Sequence, residues 1–300
     1  MSSIRSVAKD FGLRRIPFTV IILAVLGFFS FMSWKGQLFI IAGWFEGGLG
    51  LFGEHIPQVA HRIHMFAFAM LFWPFFVGLV AQLWSPKKHL SGQIMALIPL
   101  VALLLVLGLT GFTKMIPIVV TLGVPTLIAT LLHPAGRDLV LSITNTEINQ
   151  AMLVLVILAA IPLLAFTYTQ VGLQTGAIEM GTHGHHSDAA KSPEKIHQEH
   201  IDFGHFALMA ALGVTIVGTG LLASLQQPGW LITAWLTGIT VIYYGVASIA
   251  FPEAASTVNV IWSIGAIVWG LAFIGIATIT NNLDRPIAYG GKTPTKTPEK

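Results

Sequence analysis

The chain has 300 residues, 54% of them hydrophobic and only 10% charged, with a mean hydropathy of +0.77. Soluble domains carry roughly a quarter of their residues as charges, so this composition excludes a soluble globular protein and implies a polytopic one embedded in a lipid bilayer. The formal net charge of +3 reflects membrane topology and no nucleic-acid partner, while the absence of cysteine excludes disulfides, thiolate metal sites, iron–sulfur clusters and c-type haem.

Met1 to Arg15 is short and basic, and the apolar run Ile16 to Trp34 follows. About 20 residues are needed to cross a bilayer, and a signal-peptide core is shorter, so this run is the first span. Seven more apolar runs follow at about 60–84, 92–112, 115–133, 149–173, 204–224, 230–250 and 257–280. The expected fold is therefore all-α, with eight transmembrane helices. Gly290 to Lys300 repeats Lys-Thr-Pro and reads as part of a disordered cytoplasmic tail over 285–300.

Lysine and arginine set the orientation. With the N-terminus inside, the inner segments hold eleven basic residues, among them Arg14, Arg15, Lys87, Lys88 and Arg137. The outer ones hold five: Lys35, Arg62, Lys114, Lys191 and Lys195. Both termini come out inside, as expected for a multi-pass protein of the plasma membrane. Nine histidines then fall on the outer side, and only His89 and His133 on the inner.

Residues 1–143 and 144–284 read as one four-helix unit written twice. Each has a span, a long outer loop, a histidine-headed span and a tight helical pair. Such a pair of units would share an interface, where bundles build cofactor sites.

The chemistry concentrates at the two histidine-headed spans. Gln58-Val-Ala-His61-Arg62-Ile-His64 enters the second span, and His197-Gln-Glu-His200-Ile-Asp202-Phe-Gly-His205 enters the sixth. Ionisable groups at membrane depth mark functional sites by default. His61 and His64 share a helical face, as do His197 and His200. Gln58 and Asp202 each stand three residues before a histidine and could orient its ring. Arg62 could neutralise a haem propionate. One histidine from each half, His61 and His205, could bridge a b-type haem, with His64 and His200 as the neighbours that a one-residue change of register would substitute. The same set, with His55 and His197, could instead bind copper or iron directly. His183, His185 and His186 lie in a polar loop without helical spacing, His133 reads as a helix-terminal residue, and Asn149 reads as a solvated loop polar. Charge inside the spans is almost nil, which argues against an ion-coupled transporter.

Taken together these features resemble the haem A synthase family. The resemblance rests on Gln58-Val-Ala-His61-Arg62, Asp202-Phe-Gly-His205 and the connection Leu107 to Gly123. It implies eight spans in two similar halves, both termini inside, and haem ligation near the outer face. The chain departs from the family at the heads of spans 4 and 8, which read Thr121-Leu122-Gly123 and Thr257-Val258-Asn259 where members carry histidine. Gln58 replaces the family's glutamate. The resemblance implies a divergent, haem-binding member.

Three functions stay open on this reading. One is electron transfer or haem handling at the outer face, with quinol or an outer-face redox protein as partner. Another is a non-haem copper or iron membrane enzyme, an oxidoreductase. The last is an accessory subunit of a respiratory or other membrane complex.

Overall fold

The computed structural model describes residues 15–32, 62–136, 138–139, 147–178 and 193–283. Helices follow one another along the chain as α1 (Arg15–Met32), α2 (Arg62–Trp84), α3 (Leu90–Thr110), α4 (Ile116–Leu131), α5 (Gln150–Thr175), α6 (Pro193–Phe203), α7 (His205–Ser224), α8 (Trp230–Ala250) and α9 (Val260–Leu283). All but α6 are long and apolar enough to cross a membrane, and no strand occurs among the described residues. The eight spans start and stop within three residues of the limits expected from the apolar runs.

A helix satisfies its own backbone, which is why these runs fold as helices where no water reaches. Even Pro74, Pro99, Pro125 and Pro162 lie inside spans, where packing neighbours compensate the lost bonds. Lipid is as apolar as leucine, so helices associate through close packing and interhelical bonds, with little hydrophobic drive. Small residues carry this packing. A Cβ at Gly78 on α2 would collide with the carbonyl of Gly92 on α3, and one at Gly270 on α9 would lie 2.6 Å from the Gly238 carbonyl of α8.

Two helices occupy the centre. The apolar windows of α2 and α7 are 67% and 78% buried, more than those of any other span. These are the two spans headed by histidines. They pack on each other and on α3, while α5 and α9 flank α7 and α8. Phe66, Met70, Phe75, Leu208 and Leu212 are among the residues of this shared core.

The end of the bundle away from these histidines is locked by His133. Its Nδ1 accepts from the backbone N–H of Ala135 at 3.1 Å, so the ring proton sits on Nε2 and is donated to Gln82 Oε1 at 3.0 Å. The Gln82 amide in turn donates to the carbonyl of His89 at 2.7 Å, and Phe18 of α1 meets the imidazole edge-on. His133 is therefore a buried tie between α1, α2 and the end of α4 rather than a simple terminal residue. Burial pushes its pKa down to about 4, against a smaller upward pull from Asp138. Asn149 is likewise no solvated loop residue. It caps α5 through Met152 N and donates to Thr280 of α9.

Candidate metal centre

Three imidazoles converge at the end of the bundle where α2 and α7 begin. His64 lies in the first turn of α2, His200 in the last turn of α6, and His205 opens α7. One nitrogen from each lies within 4.8 Å of the other two. His64 is 1% and His200 0% exposed, and His205 is half-buried. The rings of His64 and His205 are stacked, 4.9 Å between centroids and 24° between planes, and His200 meets both edge-on at 4.9 and 5.3 Å.

Gly204 makes the convergence possible. On a continuous helix, residues five apart project in different directions, so His200 and His205 would diverge. The chain breaks instead between α6 and α7 at Gly204, whose φ of +70° is natural only for glycine. A Cβ there would also strike the ring of Phe112. The break folds His200 back onto His205.

Phe206 forms the floor of the site. It stacks on His200, with centroids 5.4 Å apart, and meets His64 and His197 edge-on. Phe203 stacks on the other side of His205.

The rings are aimed by an outer layer of polar groups. His64 Nε2 lies 2.9 Å from Ser256 Oγ, and the Ser256 hydroxyl donates to Gln170 Oε1 at 2.9 Å. Since that hydroxyl has one proton, His64 Nε2 carries its own and donates it, which puts the ring's lone pair on Nδ1. Ligating histidines characteristically hold their second nitrogen in this way. Ser256 adopts φ +63°, a left-handed conformation costing about 1 kcal/mol or more in a non-glycine residue. Three bonds hold it there: the two at its hydroxyl and one from Tyr244 Oη to its carbonyl at 2.6 Å. One turn beyond Gln170, Gln174 donates to the carbonyl of Ile201 at 2.9 Å and accepts from the N–H of Ala207 at 3.1 Å, stapling the Gly204 break from both sides.

Of the residues singled out in the sequence, His64, His200 and His205 come together. His197 turns aside, its Nε2 lying 3.3 Å from the carbonyl of Leu173. Arg62 lies over the ring of Phe251 at 4.7 Å as a cation–π pair. Asp202 is exposed and accepts from Gln198 on its own helix, while its carbonyl is capped by Lys114. Gln58, His61, His55, His183, His185 and His186 lie outside the described residues. At the head of span 8, Asn259 caps α9 through the N–H of Trp262. Gln170, Gln174, Ser256 and Gly204 did not stand out in the sequence. The only signal was the spacing of two amides four residues apart inside an apolar run.

Fold and site define an all-α, multi-pass membrane protein with a three-histidine cluster at one end of its helix bundle. Neither a protein-family model, nor a curated protein, nor a solved structure matches the chain.

Proposed function

We propose that His64, His200 and His205 bind one transition-metal ion, and that the protein is a membrane metalloenzyme acting at that end of the bundle. The observation that carries this reading is the approach of three imidazole nitrogens, from three different helices, to within 4.8 Å of one another. Nitrogens around a single ion with bonds of about 2.0–2.1 Å stand roughly 3.3–3.6 Å apart, so a small inward shift of the rings is enough. Imidazole ligands suit copper, iron and zinc. Three protein ligands leave a position for an exogenous molecule, the arrangement of catalytic rather than structural sites. Copper or iron at this centre would make the protein an oxidoreductase.

The ring arrangement favours a small ion over the haem expected from the sequence. Two axial imidazoles must point at each other across a porphyrin plane, whereas His64 and His205 lie stacked side by side with His200 against both. The likeness to the haem A synthase family enters this reading only through the plan of eight spans with histidines gathered at one end.

The test is X-ray absorption at the metal edge, with an optical spectrum, on detergent-purified protein. Three nitrogen scatterers at about 2.0 Å and no Soret band support the reading. A Soret band with sharp reduced α and β bands would return the assignment to haem.

A further inference from the structure

A cavity of about 470 Å³ lies among α5, α7, α8 and α9, in the half of the bundle nearest the histidines. It lies where α5 and α9 part. The two helices meet through Trp269, whose indole N–H donates to the Leu155 carbonyl at 2.8 Å, and through Asn149 and Thr280, while beyond these contacts α5 packs on α7 and α9 on α8. The gap between them opens sideways, towards lipid. Leu158 and Trp262, which line it, are 59% and 56% exposed.

The lining has a definite chemistry. Phe166, Tyr244, Trp262 and Trp269 supply aromatic faces, and the remaining surface is aliphatic apart from two hydroxyls. Thr169 spends its hydroxyl proton on the carbonyl of Ala165. Tyr244 spends its own on the carbonyl of Ser256. Both oxygens therefore retain only lone pairs and can accept but not donate. No histidine lines the cavity, so a haem there would lack an axial nitrogen. A lipid acyl chain would fill the volume but would bring no donor of its own to the Tyr244 oxygen, whose other side-chain neighbour is the Ser248 hydroxyl. The occupant that fits is flat, aromatic, hydroxyl-bearing and lipid-soluble.

We propose that the cleft between α5 and α9 is a quinol-binding site, with the ring between the aromatic side chains, a hydroxyl donating to Tyr244, and the isoprenoid tail leaving into the bilayer. The volume falls in the range of small-molecule sites. A quinol held there is linked to the candidate metal centre through Tyr244, Ser256 and His64, which are joined by hydrogen bonds. Binding itself goes beyond the metal reading and does not depend on it. Because the Tyr244 oxygen only accepts, the site distinguishes quinol from quinone: the hydroxyl form satisfies it, and the carbonyl form cannot.

Gly265 offers a clean way to close the site. It lines the cavity, and a Cβ built on it meets nothing within 4 Å. Gly275, further along α9, is equally open but lies outside the cavity. Decylubiquinol and decylubiquinone would be titrated anaerobically, by quenching of tryptophan fluorescence, into the full chain in quinone-free nanodiscs. Wild type and Gly275→Leu should show saturable quenching, with the quinol roughly fivefold tighter than the quinone, the factor expected of one net hydrogen bond. Gly265→Leu should lose saturable binding while melting at the wild-type temperature. Tyr244→Phe should bind both forms equally. Unsaturable quenching in wild type, binding unaltered in Gly265→Leu, or a quinol that fails to displace a brominated phospholipid from the cleft would each overturn the proposal, the last by showing that the cleft is a lipid seat.

Discussion

Gln170 and Gln174 stand one turn apart on the same face of α5, and between them they fix all three histidines. Gln170 accepts from the Ser256 hydroxyl that holds His64, and Gln174 bonds both sides of the Gly204 break that turns His200 onto His205. A peripheral helix thus sets the geometry of rings carried by α2, α6 and α7. Phe206 and Phe203 add to this by stacking on His200 and His205 respectively.

Replacing Gln174 with leucine keeps the volume and removes both bonds. The Ala207 N–H then loses its partner, at about 1–3 kcal/mol for a buried group left unmatched, while the Ile201 carbonyl keeps the Gly204 N–H at 3.0 Å. The variant should melt lower than wild type, and its metal affinity should fall by at least roughly tenfold, the lower range for loss of an outer-layer partner. Thermal denaturation and a competitive chelator titration read the two effects.

Ser256→Gly separates aim from fold. Glycine accepts φ +63° without strain, so the backbone keeps its bond from Tyr244. This relief offsets part of the cost of leaving His64 Nε2 and Gln170 Oε1 without their hydroxyl partner. The variant should stay folded and melt lower than wild type. The hydroxyl that orients His64 is gone, and metal affinity should drop roughly 10–100-fold. Equal affinity in this variant and wild type would show that the His64–Ser256 contact does not orient the ring.

Gly204→Ala should damage both. The added methyl meets the Phe112 ring and forces an alanine into a left-handed conformation, which alone costs roughly 1–2 kcal/mol. Circular dichroism melts should show the loss, and the metal should go with it, since His200 and His205 would separate.

His133 makes stability depend on pH with a known sign. Its folded pKa lies at about 4, below the ordinary histidine value of 6.5, so between these values the unfolded chain binds the proton and the folded one does not. Stability contributed by the neutral ring is complete above about pH 6.5 and is lost as pH falls towards 4. Between pH 7 and pH 5 this amounts to the order of 1–2 kcal/mol. His133→Gln should melt with a shallower pH dependence over that interval than wild type.

The fold was legible because membrane spans obey a length rule that apolar runs satisfy openly. The histidines were legible for the complementary reason, that polar groups at the mouths of spans are rare and costly. His64, His200 and His205 were all in view, grouped with His55, His61 and His197 as a copper or iron set, but the threesome was not singled out. Sequence spacing pairs residues along one helix, and it offered His61 with His205 across the repeat. The convergence instead depends on the backward turn at Gly204, a glycine indistinguishable in sequence from the packing glycines of the spans. Gln170, Gln174 and Ser256 were hidden too, because single amides and hydroxyls in apolar runs look like ordinary spacing until the fold shows which backbone groups they meet. His133 was misjudged because its burial is created by α1, more than a hundred residues away.

The central claim is that His64, His200 and His205 act together as one ligand set. Metal content per chain should be measured on purified wild type and on His64→Ala, His200→Ala, His205→Ala and His197→Ala, each checked for a monodisperse, helical protein. The account predicts one ion per chain in wild type and in His197→Ala, and near-complete loss in each of the other three. Metal retained in any of those three, or lost equally from His197→Ala, would contradict it.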